Sequence, residues 1–454
     1  MAVNKLKTTF LCQDCGAESP KWIGKCPVCG QWNSYVEEVV EKSHKIGAAS
    51  ALDAGQPPII LGEIPVVDYE RINVGIDEFN RVLGGGLVPG SVVLIGGEPG
   101  IGKSTLVLQL SLLLKNKKIL YSSGEESLQQ IKLRAERLKI DSPNCLFLSE
   151  TSLEVLLAQS RHVKPDVLIV DSIQTLSTEM IDSSPGSVTQ VRECATAIMK
   201  YAKQNHIAVL LIGHINKEGS LAGPKVLEHI VDTVVQFEGD MQHLYRILRA
   251  TKNRFGSTSE IGIFEMRQEG LMEIKNPSEH LIPHTAQDVS GTAIAAVMEG
   301  VRPFLLEIQA LVSSAAYGVP QRSSTGFDLR RLNMLLAVLE KRVGFKLASK
   351  DVFLNVAGGM RITDPSTDLA VLVSVLSSNL DVAVDHRFCF AGEVGLTGEI
   401  RAVNRINQRI SEAARLGFKR IFVPLFNKDT SDADVDIKIL KVARVEDVFK
   451  SLFR

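Results

Sequence analysis

The nine residues Gly97-Glu98-Pro99-Gly100-Ile101-Gly102-Lys103-Ser104-Thr105 decide how this chain is read. They fit Gly-x4-Gly-Lys-Ser, the pattern of a phosphate-binding loop. Their surroundings fit as well, with an apolar strand (Val92–Ile95) leading in and an apolar helix (Leu106–Leu114) leading out. Glycines at 97, 100 and 102 let the backbone curl so that successive N–H groups face phosphate oxygens, and the helix N-terminus adds partial positive charge. In such a loop Lys103 reaches the β- and γ-phosphates and the Ser104 hydroxyl binds Mg²⁺. The whole segment, Glu98, Pro99, Ile101 and Thr105 included, is expected to wrap ATP. An ordinary glycine turn before a helix would need neither the lysine nor the serine.

From about residue 67 to 275, apolar runs alternate with helical patterns: SVVLIGG, a helix from Lys103, KKILYSS, a helix to Lys139, CLFLS, VLIVD, a long helix, AVLLIGH. That alternation predicts parallel βαβ units and an α/β core. VDTVVQF and HLYRILRAT have no helix between them and predict an antiparallel extension. Val167–Asp171 reads as a buried strand with Asp171 at its C-terminal end, where open α/β sheets bind ligands and a carboxylate can hold the Mg²⁺ water shell. Glu125, in SGEES, is placed to orient an attacking water and take its proton. Glu126 competes for that role, and either carboxylate can instead serve a helix start. His214, at the end of AVLLIGH, is a γ-phosphate sensor or a structural histidine.

A chain of 454 residues is too long for one core. Its 51 basic and 52 acidic side chains give a net charge of −1, which excludes a histone-like attraction to nucleic acid but leaves room for a local basic loop or channel. The N-terminal MAVNKLKTTFLCQDC has no long apolar stretch, so no secretory signal is expected, and no run reaches the length of a membrane span. With seven cysteines, a reducing, cytoplasmic setting is expected.

Cys12-x2-Cys15 and Cys26-x2-Cys29 are ten residues apart, and each pair is followed by glycine. Four sulfurs make a closed tetrahedral site, expected to hold a structural Zn²⁺; rubredoxin-like iron and two disulfides are the alternatives. Trp22 and Trp32 are expected to pack around this module, which is too small to build a core itself. Cys145, Cys194 and Cys389 read as buried thiols. After NPSEHLIPH the pattern restarts. TAIAAVMEG and PFLLEIQALV predict a hairpin, and leucines at 329, 332, 335, 336 and 339 predict one apolar helix face.

With the cysteine pairs, GEPGIGKST, LIVDS and Lys252-Asn253-Arg254-Phe255-Gly256 in view, the chain resembles the RadA (Sms) family of bacterial DNA repair proteins. The resemblance covers essentially the whole chain. It implies an α/β fold: an N-terminal four-Cys zinc ribbon (1–36), a linker (37–66), a RecA-like P-loop ATPase core (67–284) and a C-terminal α/β Lon-protease-like domain (285–454). It further implies a homo-hexameric, DNA-stimulated ATPase using ATP, Mg²⁺ and Zn²⁺. Such a protein binds single-stranded and branched DNA and works with a RecA-type recombinase in branch migration and strand exchange. The resemblance puts the catalytic base on Glu125. It makes Lys252 and Arg254 a basic pair offered to a neighbouring subunit's γ-phosphate, where positive donors suit phosphoryl transfer; a basic turn on DNA phosphates is the alternative. Residues 215–229 correspond in place to DNA-binding loops, with Lys217 and Lys225 as candidate contacts, unless the loop is an ordinary mobile one.

The Lon likeness raises a rival, an ATP-dependent Ser-Lys protease, because Ser366 sits at the nucleophile's place. A serine needs a base. The gapless match puts Asn407 at the lysine position, flanked by Arg405 and Arg409, none of which accepts a proton at neutral pH. Asp364-Pro365-Ser366 is more simply a capped helix start. A ring-forming, DNA-facing scaffold is therefore expected, with Asn404–Arg409 facing DNA or solvent. A nucleotide-gated regulator that binds partners without moving DNA is a third class.

Overall fold

The N-terminal segment forms a three-stranded antiparallel sheet in the order β2-β1-β3, from β1 (Lys7–Cys12), β2 (Glu18–Ser19) and β3 (Tyr35–Val40). Its small core is Cys12, Cys26 and Tyr35, with Phe10, Ala17 and Ile23 against them. Trp22 and Trp32 do not cover it: they stand 53% and 69% exposed. Thiols and the Tyr35 ring already fill the interior of so short a segment. Trp22 Nε1 donates to the Tyr35 carbonyl (3.1 Å), and Lys25 Nζ lies over the Trp32 ring, 5.5 Å from its centre.

This computed structural model describes residues 7–12, 17–40, 60, 70–213, 226–238, 245–282, 289–315, 319–428 and 436–453. The chain divides into two compact units, the first comprising Met1–Glu238, Ile247–Thr258 and Met266–Glu273, the second the remainder.

The main sheet has nine strands, β4 (Val92–Gly96), β5 (Ile119–Ser123), β6 (Cys145–Ser149), β7 (Val167–Asp171), β8 (Ala208–Ile212), β9 (Thr233–Glu238), β10 (Tyr245–Asn253), β11 (Ile261–Arg267) and β12 (Gly270–Glu273), in the order β12-β11-β10-β9-β4-β8-β7-β5-β6. From β9 to β6 every pairing is parallel, and β10 runs antiparallel to β9. The expected βαβ core and antiparallel extension are both present. Strands β4, β5, β7 and β8 are buried at every residue, which is why they read as unbroken apolar runs: a parallel sheet is covered on both faces. One cover is the helix Val188–Asn205, whose Val191, Cys194, Ala195, Ile198 and Ala202 recur at helical spacing and pack on Leu168, Val170, Val209 and Leu211. Serines 127, 152 and 187 cap three of the helices with their side chains. No described helix is long and apolar enough to cross a membrane.

The second unit holds a mixed sheet of β13 (Thr292–Glu299), β14 (Arg302–Ser314), β15 (Arg322–Thr325), β16 (Lys350–Val356), β17 (Phe388–Phe390) and, after the separate two-stranded pair β18 (Glu393–Val394) and β19 (Ile400–Arg401), β20 (Arg420–Pro424) and β21 (Lys438–Val442). Its order is β15-β16-β14-β13-β17-β20-β21. The expected hairpin is β13–β14. The helix Leu329–Val338 buries Leu332, Leu335 and Leu336 as its spacing predicts, while Leu329 at its first turn is 42% exposed.

Candidate active site

The phosphate-loop segment leaves the C-terminal end of β4, in the middle of the parallel sheet, and opens the helix Lys103–Leu113. Gly100 and Gly102 have φ of +78° and +116°, and a Cβ at Gly102 would come within 2.6 Å of Met266 Cε. Glu98, Pro99 and Gly100 form the exposed rim, Ile101 is buried beneath, and Ser104 and Thr105 are half-buried. Lys103, 4% exposed, donates from Nζ to the carbonyls of Gly97 (2.7 Å) and Glu98 (2.9 Å). Burial lowers its pKa, and the nearby carboxylates of Asp171 and Glu125 partly counter that.

Asp171 ends β7 and is 2% exposed. Its Oδ2 accepts from the Tyr121 hydroxyl at 2.8 Å, while Oδ1 has no hydrogen-bond partner among the described residues. Burial raises its pKa; hydroxyls of Tyr121 and Ser104 act the other way. A buried acceptor atom left open beside a serine hydroxyl fits a cation such as Mg²⁺. Glu125 follows β5, is exposed, and accepts from the Ser172 hydroxyl. Its rival Glu126 is ion-paired with Arg134. The structure therefore brings Lys103, Ser104, Glu125 and Asp171 together at one end of the sheet. His214, Lys217 and Lys225 lie outside the described residues.

Lys252 and Arg254 lie elsewhere. The strand β10 carries them to the start of β9, where Lys252 pairs with Val234 and Asn253 with Thr233, after a bulge between Ala250 and Lys252. In turn Thr233 pairs with Val93, near the start of β4. Arg254 Nη1 donates to Asp232 Oδ1 (3.2 Å), and Asp232 Oδ2 accepts from the N–H of Val92, at the root of β4. The loop springs from the other end of β4, about 13 Å away at a strand rise of ~3.3 Å per residue. Lys252 Nζ donates to the carbonyls of Glu228 (2.6 Å) and Val231 (2.7 Å). Burial and Arg254 lower its pKa against the pull of Asp232 and Glu228. Arg254 is half exposed in a cleft with Arg71, Lys203 and His206. Asp232 was not legible as a partner: nothing in IVDTVVQF marks it beyond its place before a strand.

In the N-terminal sheet the Sγ atoms of Cys12, Cys26 and Cys29 lie within 4.8 Å of one another, and Cys12 and Cys29 are 3.6 Å apart. Tetrahedral Zn–S bonds of ~2.3 Å require S···S near 3.8 Å, whereas a disulfide needs about 2 Å. The three sulfurs thus fit a metal, and Cys15 lies outside the described residues. Of the other thiols, burial pushes Cys145 up to about 11, Cys194 to about 12, and Cys389 well above its ordinary value.

At Ser366 the structure corrects the gapless match. Asn407 is exposed; the group that reaches the serine is Arg409, 2% exposed on the helix Ile406–Arg415. Its Nη1 donates to Ser366 Oγ (2.6 Å) and the Ala296 carbonyl (2.6 Å) and pairs with Asp364 Oδ2 (2.7 Å). Asp364 caps a 3₁₀ turn, Pro365–Thr367, ahead of the helix Asp368–Leu380, the capped start that the sequence predicts. The helix Ile406–Arg415 turns its apolar face inward, so Arg409 is not part of a basic surface. A face of Ile406, Arg409, Ile410 and Ala413 was the available signal.

Residues 10–37 match the family described as a rubredoxin metal binding domain, residues 60–220 an AAA domain, and residues 323–427 subunit ChlI of Mg-chelatase. The DNA repair protein RadA of Bacillus subtilis (strain 168) is 50% identical over 452 residues, 98% of this chain and 99% of that protein. RadA of Listeria monocytogenes is 49% identical over 452 residues, 99% of each chain. RadA of Halalkalibacterium halodurans is 48% identical over 451 residues, 98% of each. Among solved structures, a DnaB-like replicative helicase aligns with 46% of this chain and 62% of its own at 14% identity and a TM-score of 0.40.

Proposed function

Because the chain belongs to the family of the DNA repair protein RadA and carries an AAA-type P-loop domain and a cysteine ribbon, we propose that it is a Mg²⁺-dependent ATPase stimulated by single-stranded and branched DNA. In this reading it acts in the cytoplasm as a homo-hexameric ring that drives branch migration and strand exchange beside a RecA-type recombinase. In this reading the zinc module, expected at 1–36, runs on to Val40 because β3 pairs with β1 to that residue, and the Lon-like scaffold, expected from 285, starts at Ile274, with a linker and the ATPase domain between them.

Lys103, now satisfied by loop carbonyls, turns to the β- and γ-phosphates when nucleotide fills the loop. Ser104 and Asp171 would hold Mg²⁺, which would supply neutralising charge to the phosphates. Glu125 orients the attacking water and takes its proton on a carboxylate oxygen. Glu126 is left out because Arg134 occupies it. Cys12, Cys15, Cys26 and Cys29 would hold Zn²⁺ as a closed structural site.

The observation that carries the ring is the seat of Arg254. It hangs from Asp232 at the root of β4 while the loop sits at the tip, away from its own loop, as a group offered to a neighbour's nucleotide would. The protease alternative is disfavoured by Arg409, which is always charged and cannot act as a base toward Ser366. The test is ATP turnover by the full chain with and without defined branched DNA. Turnover should rise with DNA and vanish in Lys103→Ala. Undiminished turnover in that variant overturns the site, and turnover indifferent to DNA favours the nucleotide-gated regulator.

A further inference from the structure

Tyr121 has no assigned role, yet its hydroxyl touches the carboxylate at the centre of the proposed site. The side chain is 2% exposed and its ring sits 5.5 Å, centre to centre, from Phe147. A phenylalanine would fill the same space. A hydroxyl so buried costs about 1–3 kcal/mol unless it is bonded, and the bond it makes is to Asp171 Oδ2 at 2.8 Å. That bond engages one carboxylate oxygen and leaves the other, Oδ1, buried and without a hydrogen bond among the described residues. A carboxylate gripped at one oxygen by a donor on a rigid, fully buried strand loses its freedom to turn about Cβ–Cγ. Strands β5 and β7 are adjacent and paired, Tyr121 with Ile169 and Ser123 with Asp171. The Gly124 N–H also donates to the Asp171 carbonyl at 2.9 Å, so donor and acceptor keep one geometry.

We propose that Tyr121 is a positioning residue for the metal: its hydroxyl fixes the rotation of the Asp171 carboxylate so that Oδ1 is presented to Mg²⁺ and its water shell. This rests on Asp171 as the Mg²⁺ holder. Outer-shell partners of metal-binding carboxylates are worth roughly 10–100-fold in metal affinity; Tyr121 acts at the low end, through one neutral hydroxyl.

Binding of a fluorescent, non-hydrolysable ATP analogue to the full chain, titrated with Mg²⁺, is the test. In Tyr121→Phe the affinity without Mg²⁺ should stay within about twofold, and the Mg²⁺ concentration at half-effect should rise about tenfold. Asp171→Asn is the reference, expected to abolish the Mg²⁺ effect. If Asp171→Asn leaves the effect intact, the site assignment itself is wrong. If Asp171→Asn abolishes it but Tyr121→Phe does not shift it, the role of Tyr121 is overturned. Failure of Tyr121→Phe to fold, or equal loss of affinity with and without Mg²⁺, assigns the hydroxyl to structure and overturns it too.

Discussion

Arg409 occupies the place beside Ser366 where a nucleophilic serine would need a base. A guanidinium does not lose its proton in proteins, so the 2.6 Å contact it makes with Ser366 cannot activate the hydroxyl. The arginine instead answers the charge of Asp364, 10% exposed. Replacing Arg409 with Leu strands that carboxylate, and urea unfolding should record a loss of about 3–5 kcal/mol. Asn407→Ala, on the exposed side of the same helix, should change stability by less than ~0.5 kcal/mol; the reverse ranking would refute the pairing. Burial raises the pKa of Asp364, but Arg409 and two backbone N–H groups outweigh it and hold it below the ordinary 3.8. The pair's stabilisation is therefore present above pH 3.8 and is lost as pH falls through the lower folded value. The deficit of Arg409→Leu should shrink on acidification. Sequence alone pointed to the wrong residue here. Counting from a distant pattern put Asn407 inside, whereas the helix's own apolar spacing puts Arg409 there.

At the level of the elements, the main sheet was legible because strands buried on both faces write unbroken apolar runs, and the loop after β4 carries a spacing with a known mechanism. What was not legible depends on contacts between distant segments. Exposure of Trp22 and Trp32 is one case. It predicts that Trp32→Ala leaves the ribbon folded, while chelation of its metal unfolds it; metal analysis should find about one Zn²⁺ per chain. The basic motif is another case. Its Gly256 sits at a close backbone approach: a Cβ there would lie 3.2 Å from Gly84 Cα and 3.0 Å from Asn253 Nδ2, so a side chain would have to push its neighbours apart. Arg71 braces the same turn, donating to the carbonyls of Phe255 and Leu83. Gly256→Val should cost about 1–3 kcal/mol by overpacking and displace Arg254. Differential denaturation and nucleotide binding would check it, with turnover falling further than affinity; unchanged turnover would speak against the motif's part in catalysis.

For the whole molecule, the proposal to test is that one chain completes another's site. Arg254→Ala should bind nucleotide and fail to turn it over, and Lys103→Ala should fail at the loop. Mixed in equal amounts under conditions of subunit exchange, about a quarter of randomly formed head-to-tail interfaces join an intact loop to an intact arginine. Activity should return to roughly that fraction, and no recovery would remove the support for a shared site. Neither half of this arrangement stands out in the sequence as distant from the other. GEPGIGKST and KNRFG are both simply motifs until the strand register sends them to opposite ends of β4.

That separation sets an arithmetic for assembly. With Arg254 moored through Asp232 at the root of β4 and the loop at its tip, the proposed shared site would leave a solitary chain with two unfinished halves. A row of n chains then completes n − 1 sites, and only closure into a ring completes n. Each broken seam idles one site, so turnover per chain should climb with protein concentration and level off when the circle shuts.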